Sequence, residues 1–145
     1  MLLPIPPSNS SVAAALWDTT TNRELQSLGY DVQVFAYGAD DAFIIGYRDG
    51  TVRVWDRDAK PLALLHGHTR VVDSVALSRD HALAVTAGDD GTVRTWDVKT
   101  GHELSDVSVG GDHVIAELAS DDRHVIASTG KAVWWWTIPF ELRAR

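Results

Sequence analysis

Asp49-Gly50-Thr51-Val52-Arg53-Val54-Trp55-Asp56 and Asp90-Gly91-Thr92-Val93-Arg94-Thr95-Trp96-Asp97 differ only at Val54 against Thr95. Asp-Gly opens a tight hairpin, because Gly adopts positive φ without steric cost. The residues after it alternate, with Val93 and Thr95 on one side and Arg94 and Trp96 on the other, which is the period of a strand. Each stretch therefore reads as a hairpin followed by a strand ending in Trp-Asp. A further Trp-Asp stands at Trp17-Asp18, and Trp136-Thr137 holds a fourth position, so the copies lie 38, 41 and 40 residues apart. A period of that size marks a repeat architecture.

Working outward, His81–Gly88 and Val71–Ser78 are short apolar runs separated by the turn-prone Arg79-Asp80, and Glu103–Val109 follows the turn at 98–101. Each period holds four short strands joined by hairpins and has no room for a helix.

Gly67-His68, then Val75–Asp80, then Thr86–Asp97 together resemble one complete repeat of the WD-repeat family, with weaker copies over 29–56 and 110–137. The resemblance covers about residues 12–138. It implies an all-β fold, a partial WD-type β-propeller of about three to three and a half four-stranded antiparallel blades. The expected layout is a coil-like leader over 1–11, a half blade over 12–28, blades over 30–65 and 68–109, a three-stranded blade over 113–138 and a tail over 139–145. That makes thirteen strands, whereas a closed ring takes about 4–8 blades. The open ends of such a stack invite either blades from a longer protein or a second copy of the chain.

The same resemblance accounts for the residues that look chemical. His68, Thr86, Asp90 and Trp96 fall where the family forms a buried structural tetrad, not a catalytic triad, and no catalytic residue is expected. The first blade keeps Asp49 and Trp55 but has Ile45 in the hydroxyl slot; the last is read as keeping Ser128 and Trp136. Glu117 falls where the other blades carry Phe35 and Val75, so either that strand is shifted or a carboxylate is half-buried. His66 and His68 share a strand face, but the tetrad already claims His68, so neither a metal site nor a cofactor is expected. Trp134-Trp135-Trp136 puts large apolar surface on both faces of the last blade.

Composition narrows the function. The chain has 145 residues, no Cys, and 13 Lys plus Arg against 20 Asp plus Glu, a formal charge of −7. Without Cys there is no disulfide framework or thiolate chemistry. Acidic balance with scattered cations argues against nucleic acid, and no apolar run reaches the ~20 residues of a membrane span. Met1–Ser11 lacks a basic start and carries three Pro, so no signal peptide and a cytoplasmic location are expected. Family contact positions, carried over slot by slot, are Val71, Asp73 and Asp89 in the middle blade, Asp31, Gln33 and Arg48 in the first, and His113 and Ile115 in the last. This mostly acidic set suits a basic or polar peptide. The resulting expectation is a non-enzymatic protein-interaction scaffold, completed by further blades or by another copy. The alternative is a C-terminal regulatory propeller of a signalling enzyme such as a kinase or NTPase.

Overall fold

A computed structural model describes residues 2–4, 13–139 and 141, and divides the chain into two compact units, Met1–Val32 and Gln33–Arg145. Among the described residues the elements are strands, apart from one 3-10 turn at Ala39–Asp41.

In the first unit, β1 (Leu2–Pro4), β2 (Ala13–Asp18) and β3 (Arg23–Tyr30) form an antiparallel sheet in the order β1-β2-β3. This corrects the coil-like leader: Leu2, Leu3 and Pro4 pair with Leu16, Ala15 and Ala14, so the expected two-stranded half blade has three strands. The reason is a free ladder edge on β2, which an extended apolar segment can satisfy, with Pro4 tolerated because it sits on the outside strand. Residues 5–12 of the leader lie outside the described residues, as do 140 and 142–145 of the tail.

A meander of β4 (Val32–Tyr37), which starts at the last residue of the first unit, β5 (Phe43–Tyr47), β6 (Val52–Trp55) and β7 (Pro61–Leu65) comes next. A second meander follows in β8 (Val72–Leu77), β9 (Leu83–Gly88), β10 (Thr92–Asp97) and β11 (Glu103–Ser108). The last sheet has three strands, β12 (Ile115–Leu118), β13 (His124–Ser128) and β14 (Val133–Thr137). Fourteen strands are described where thirteen were expected, the extra one being β1.

Each Asp-Gly hairpin closes as its sequence dictates. Asp49 Oδ1 accepts the Thr51 N–H at 2.9 Å and its hydroxyl at 2.7 Å, and Asp90 Oδ1 accepts the same pair from Thr92 at 3.1 and 2.7 Å. Gly50 and Gly91 turn the corner at φ 88° and 76°, a region other L-residues avoid.

Alternation along these strands sends one row of side chains to each face, and the sheets stack through those rows. Ile44, Val52, Val54 and Leu65 of the first meander pack with Val72, Val75, Ala84 and Trp96 of the second. On the other face of the second meander, Leu83, Val85, Ala87 and Val93 pack with Val114, Ala116, Val125, Ala127 and Ile138. Strand β9 is covered on both faces, and all six of its residues are buried, which is why it reads as a continuous apolar run. At Gly46 the stack is so close that a Cβ would lie 2.6 Å from Val72 Cγ1.

Register resolves the last sheet. Val98 N–H donates to Ala82 O, and Ile138 N–H donates to Arg123 O, which sets the second meander and the last sheet in phase. Trp96 pairs with Ala84 and Trp136 with Val125, so Trp136 does hold the Trp slot. The hydroxyl slot then belongs to Ala127, not Ser128, and the Val75 slot to Ala116. The strand is the shifted one, and Glu117 stands exposed opposite Ile126. A one-residue slip exchanges the two faces of a strand.

Candidate functional site

In the second meander, β9 supplies Thr86, β10 supplies Trp96, the hairpin between them supplies Asp90, and His68 sits just before β8. Trp96 Nε1–H donates to Thr86 Oγ1 at 2.9 Å, and Thr86 Oγ1 lies 2.7 Å from His68 Nε2. His68 Nδ1 faces Asp90 at 3.0 and 3.1 Å. A carboxylate only accepts, so His68 carries its proton on Nδ1, and Thr86 donates its hydroxyl to Nε2 while accepting from the indole. Burial pushes the His68 pKa down against the pull of Asp90. Burial alone would raise Asp90, but hydrogen bonds from Thr92, the Thr69 N–H and His68 outweigh it and hold the carboxyl below its usual range. The chain of bonds runs inside the sheet, with His68 and Thr86 buried, so it offers no face to a substrate.

The other sheets lack the set. Ile45 pairs with Arg53 just as Thr86 pairs with Arg94, so it fills the hydroxyl slot, and buried Trp55 Nε1 finds no acceptor. Trp55 stacks instead on Phe43, with ring centroids 6.2 Å apart. Trp136 is half-buried against the second meander, and its slot partner Ala127 offers no hydroxyl.

Of the expected contact residues, the structure brings three together. Asp73 lies on β8 at an irregularity between Val72 and Ser74, which takes it out of the ladder. Asp89 is fixed at the β9–β10 corner, where its N–H donates to Val71 O at 2.9 Å. His113, in the loop before β12 with φ 54°, donates its N–H to Asp89 Oδ1 at 2.9 Å. Its Nδ1 lies 3.3 Å from Asp89 Oδ1 and 3.8 Å from Asp73 Oδ2. Asp73 is only 10% exposed, and its Oδ2 is shut off from solvent without a hydrogen bond. Burial, together with the Asp89 carboxylate and against the His113 imidazole, raises the Asp73 pKa to about 6. The His113 N–H holds Asp89 below its usual range.

Val71 joins the cluster only through its carbonyl oxygen, the acceptor of the Asp89 N–H, and the remaining positions stand apart from it. Asp31, in the first unit, is exposed at φ 63° between β3 and β4; Gln33 is exposed on β4, and Arg48 is exposed after β5. Ile115 stands on the outward face of β12, in one row with Ser128 and Val133. That outward face exposes four large apolar side chains, Ile115 at 54%, Ile126 at 50%, Val133 at 70% and Trp135 at 71%, beside Glu117, Ser128, His124 and Thr137. The sequence puts Asp73 and Asp89 in two contact slots of the middle blade and His113 in a third kind of slot of the last blade, but it offers no means of bringing His113 onto the neighbouring sheet.

The family described as "WD domain, G-beta repeat" matches residues 23–56 and 59–97, about half of the chain. A "Guanine nucleotide-binding protein subunit beta" of Zea mays is 30% identical over 139 residues, covering 88% of this chain and 37% of that protein. "GID complex subunit 7" of Schizosaccharomyces pombe is 39% identical over 93 residues, covering 58% of this chain and 18% of its own. The chain thus spans about a third or less of the length of these relatives. Among solved structures, the computationally designed Ika4 protein superposes with a TM-score of 0.72 at 26% identity, covering 91% of this chain and 88% of that one. The two matched stretches end on the Trp-Asp pairs of β6 and β10, and by that match the chain belongs to the WD-repeat family, its sheets being blades of a partial β-propeller.

Proposed function

We propose that the chain is a cytoplasmic, non-enzymatic interaction scaffold whose open blade stack is covered by further blades or by another copy, and which holds a protein or peptide partner. The observation that carries this reading is the outward face of β12–β14, where Ile115, Ile126, Val133 and Trp135 stand in solvent. Four large apolar side chains exposed on one sheet face, with Glu117 and Ser128 among them, mark a contact surface, and in this chain the equivalent face of the second meander is buried by the next sheet. Family membership supports the scaffold reading, and the hydroxyl, imidazole and carboxylate of the tetrad are bound to one another inside the sheet. Val71, Asp73, Asp89, Asp31, Gln33, Arg48, His113 and Ile115 remain the proposed partner contacts, with a basic or polar peptide as the chemistry that fits their charge. No observation favours the kinase or NTPase module.

Sedimentation velocity across a wide concentration range tests the reading. Self-association that Trp135→Lys weakens is the expected result. A folded monomer at every concentration, unaltered by Trp135→Lys, overturns the association.

A further inference from the structure

The cluster at the rim of the second meander and the last sheet has an electrostatic defect that the described residues do not repair. Asp73 Oδ2 is buried and accepts no hydrogen bond, and the carboxylate beside it belongs to Asp89. A buried carboxylate oxygen without a donor is costly. Arg70 turns its Nη1 to the Asp89 carbonyl oxygen at 3.4 Å, and Asp73 Oδ2 has no hydrogen-bond donor. What the site wants is a cation lying between the two carboxylates.

Its dimensions suit one kind of cation. The candidate ligand atoms of Asp73, Asp89 and His113 all lie within 4.8 Å of one another. A tetrahedral ion with bonds of ~2.0–2.2 Å requires its ligands to stand about 3.3–3.6 Å apart. The His113 Nδ1 separations of 3.3 Å to Asp89 and 3.8 Å to Asp73 come close to that edge without any ion present. The scaffold also holds the donors in place, Asp89 through its N–H on Val71 O and His113 through its N–H on Asp89 Oδ1. One imidazole nitrogen with two carboxylate oxygens favours zinc and similar first-row ions over magnesium or calcium, which prefer six or more oxygens.

We propose that Asp73, Asp89 and His113 form a binding site for one divalent cation of the zinc class, joining the second meander and the last sheet. His113 is 82% exposed, so the fourth coordination position faces solvent and takes water or a donor group from a partner. This inference is independent of whether blades or copies cover the far face of β12–β14.

Titration of the full chain with zinc by calorimetry, and with cobalt followed by its visible absorption, tests the site. One equivalent with a tetrahedral cobalt spectrum is expected. Asp73→Asn and His113→Gln should each weaken zinc binding by more than about tenfold, the least that loss of even a supporting partner of a metal ligand costs. His113 is a surface side chain, so its variant keeps the test valid if Asp73→Asn disturbs folding. His66→Gln and His124→Gln should bind as the parent does. The proposal fails if the parent chain shows no saturable binding, if His113→Gln binds zinc as tightly as the parent, or if binding follows His66 or His124 instead.

Discussion

Two buried threonines a strand apart make opposite predictions for the same substitution. Thr86 Oγ1 accepts from Trp96 Nε1 at 2.9 Å and donates to His68 Nε2 at 2.7 Å, in a fully buried position. Thr86→Val keeps the shape and strands both partners. Each orphaned buried group costs about 1–3 kcal/mol, and since the two losses share one network they add incompletely, which leaves about 2–4 kcal/mol of destabilisation. Thr95 is just as buried, but its Oγ1 has no hydrogen-bond partner. Thr95→Val replaces an unsatisfied hydroxyl with a methyl, so it should be neutral or stabilising by up to about 1 kcal/mol. Urea unfolding followed by far-UV circular dichroism measures both against the parent chain. The reasoning is refuted if the two variants differ by less than about 0.5 kcal/mol, the ordinary scatter of neutral substitutions, or if Thr95→Val is the more damaging.

Two further outcomes follow. Gly46→Ala would put a Cβ 2.6 Å from Val72 Cγ1 and 2.9 Å from Val34 Cγ1; short branched side chains cannot swing aside, so a loss of about 1–3 kcal/mol is expected, read as a lower melting midpoint. His68 is depressed by burial, so at pH 6.5, where a free imidazole is half protonated, its ring should remain neutral with the proton on Nδ1 by nitrogen NMR. The unfolded chain binds that proton first, so the stability contributed by neutral His68 is complete above pH 6.5 and is lost as pH falls through its lower folded value. A His68 ring already half protonated at pH 6.5 would contradict this.

The repeating blade could be read from residues alone because its determinants are local. Asp-Gly sets the turn, the carboxylate binds the Thr two residues on, and alternation carries the strand to Trp-Asp, all within eight residues. The tetrad was legible through the family resemblance, because its four members fall at matching positions of one repeat. What packing decides was not legible. Ser128 and Ala127 are neighbours, and only the face turned toward the second meander selects Ala127, since a strand shifted by one residue has the same local preferences and the opposite burial. Leu2–Pro4 became a strand because β2 had an edge to fill, a property of the partner and not of the segment. The meeting of Asp73, Asp89 and His113 likewise depends on how far one sheet lies from the next, a distance set by Ser74, Val85, Ala116 and their neighbours across the stack. Local sequence determined the blade; contacts between blades determined which side chains it presents and to what.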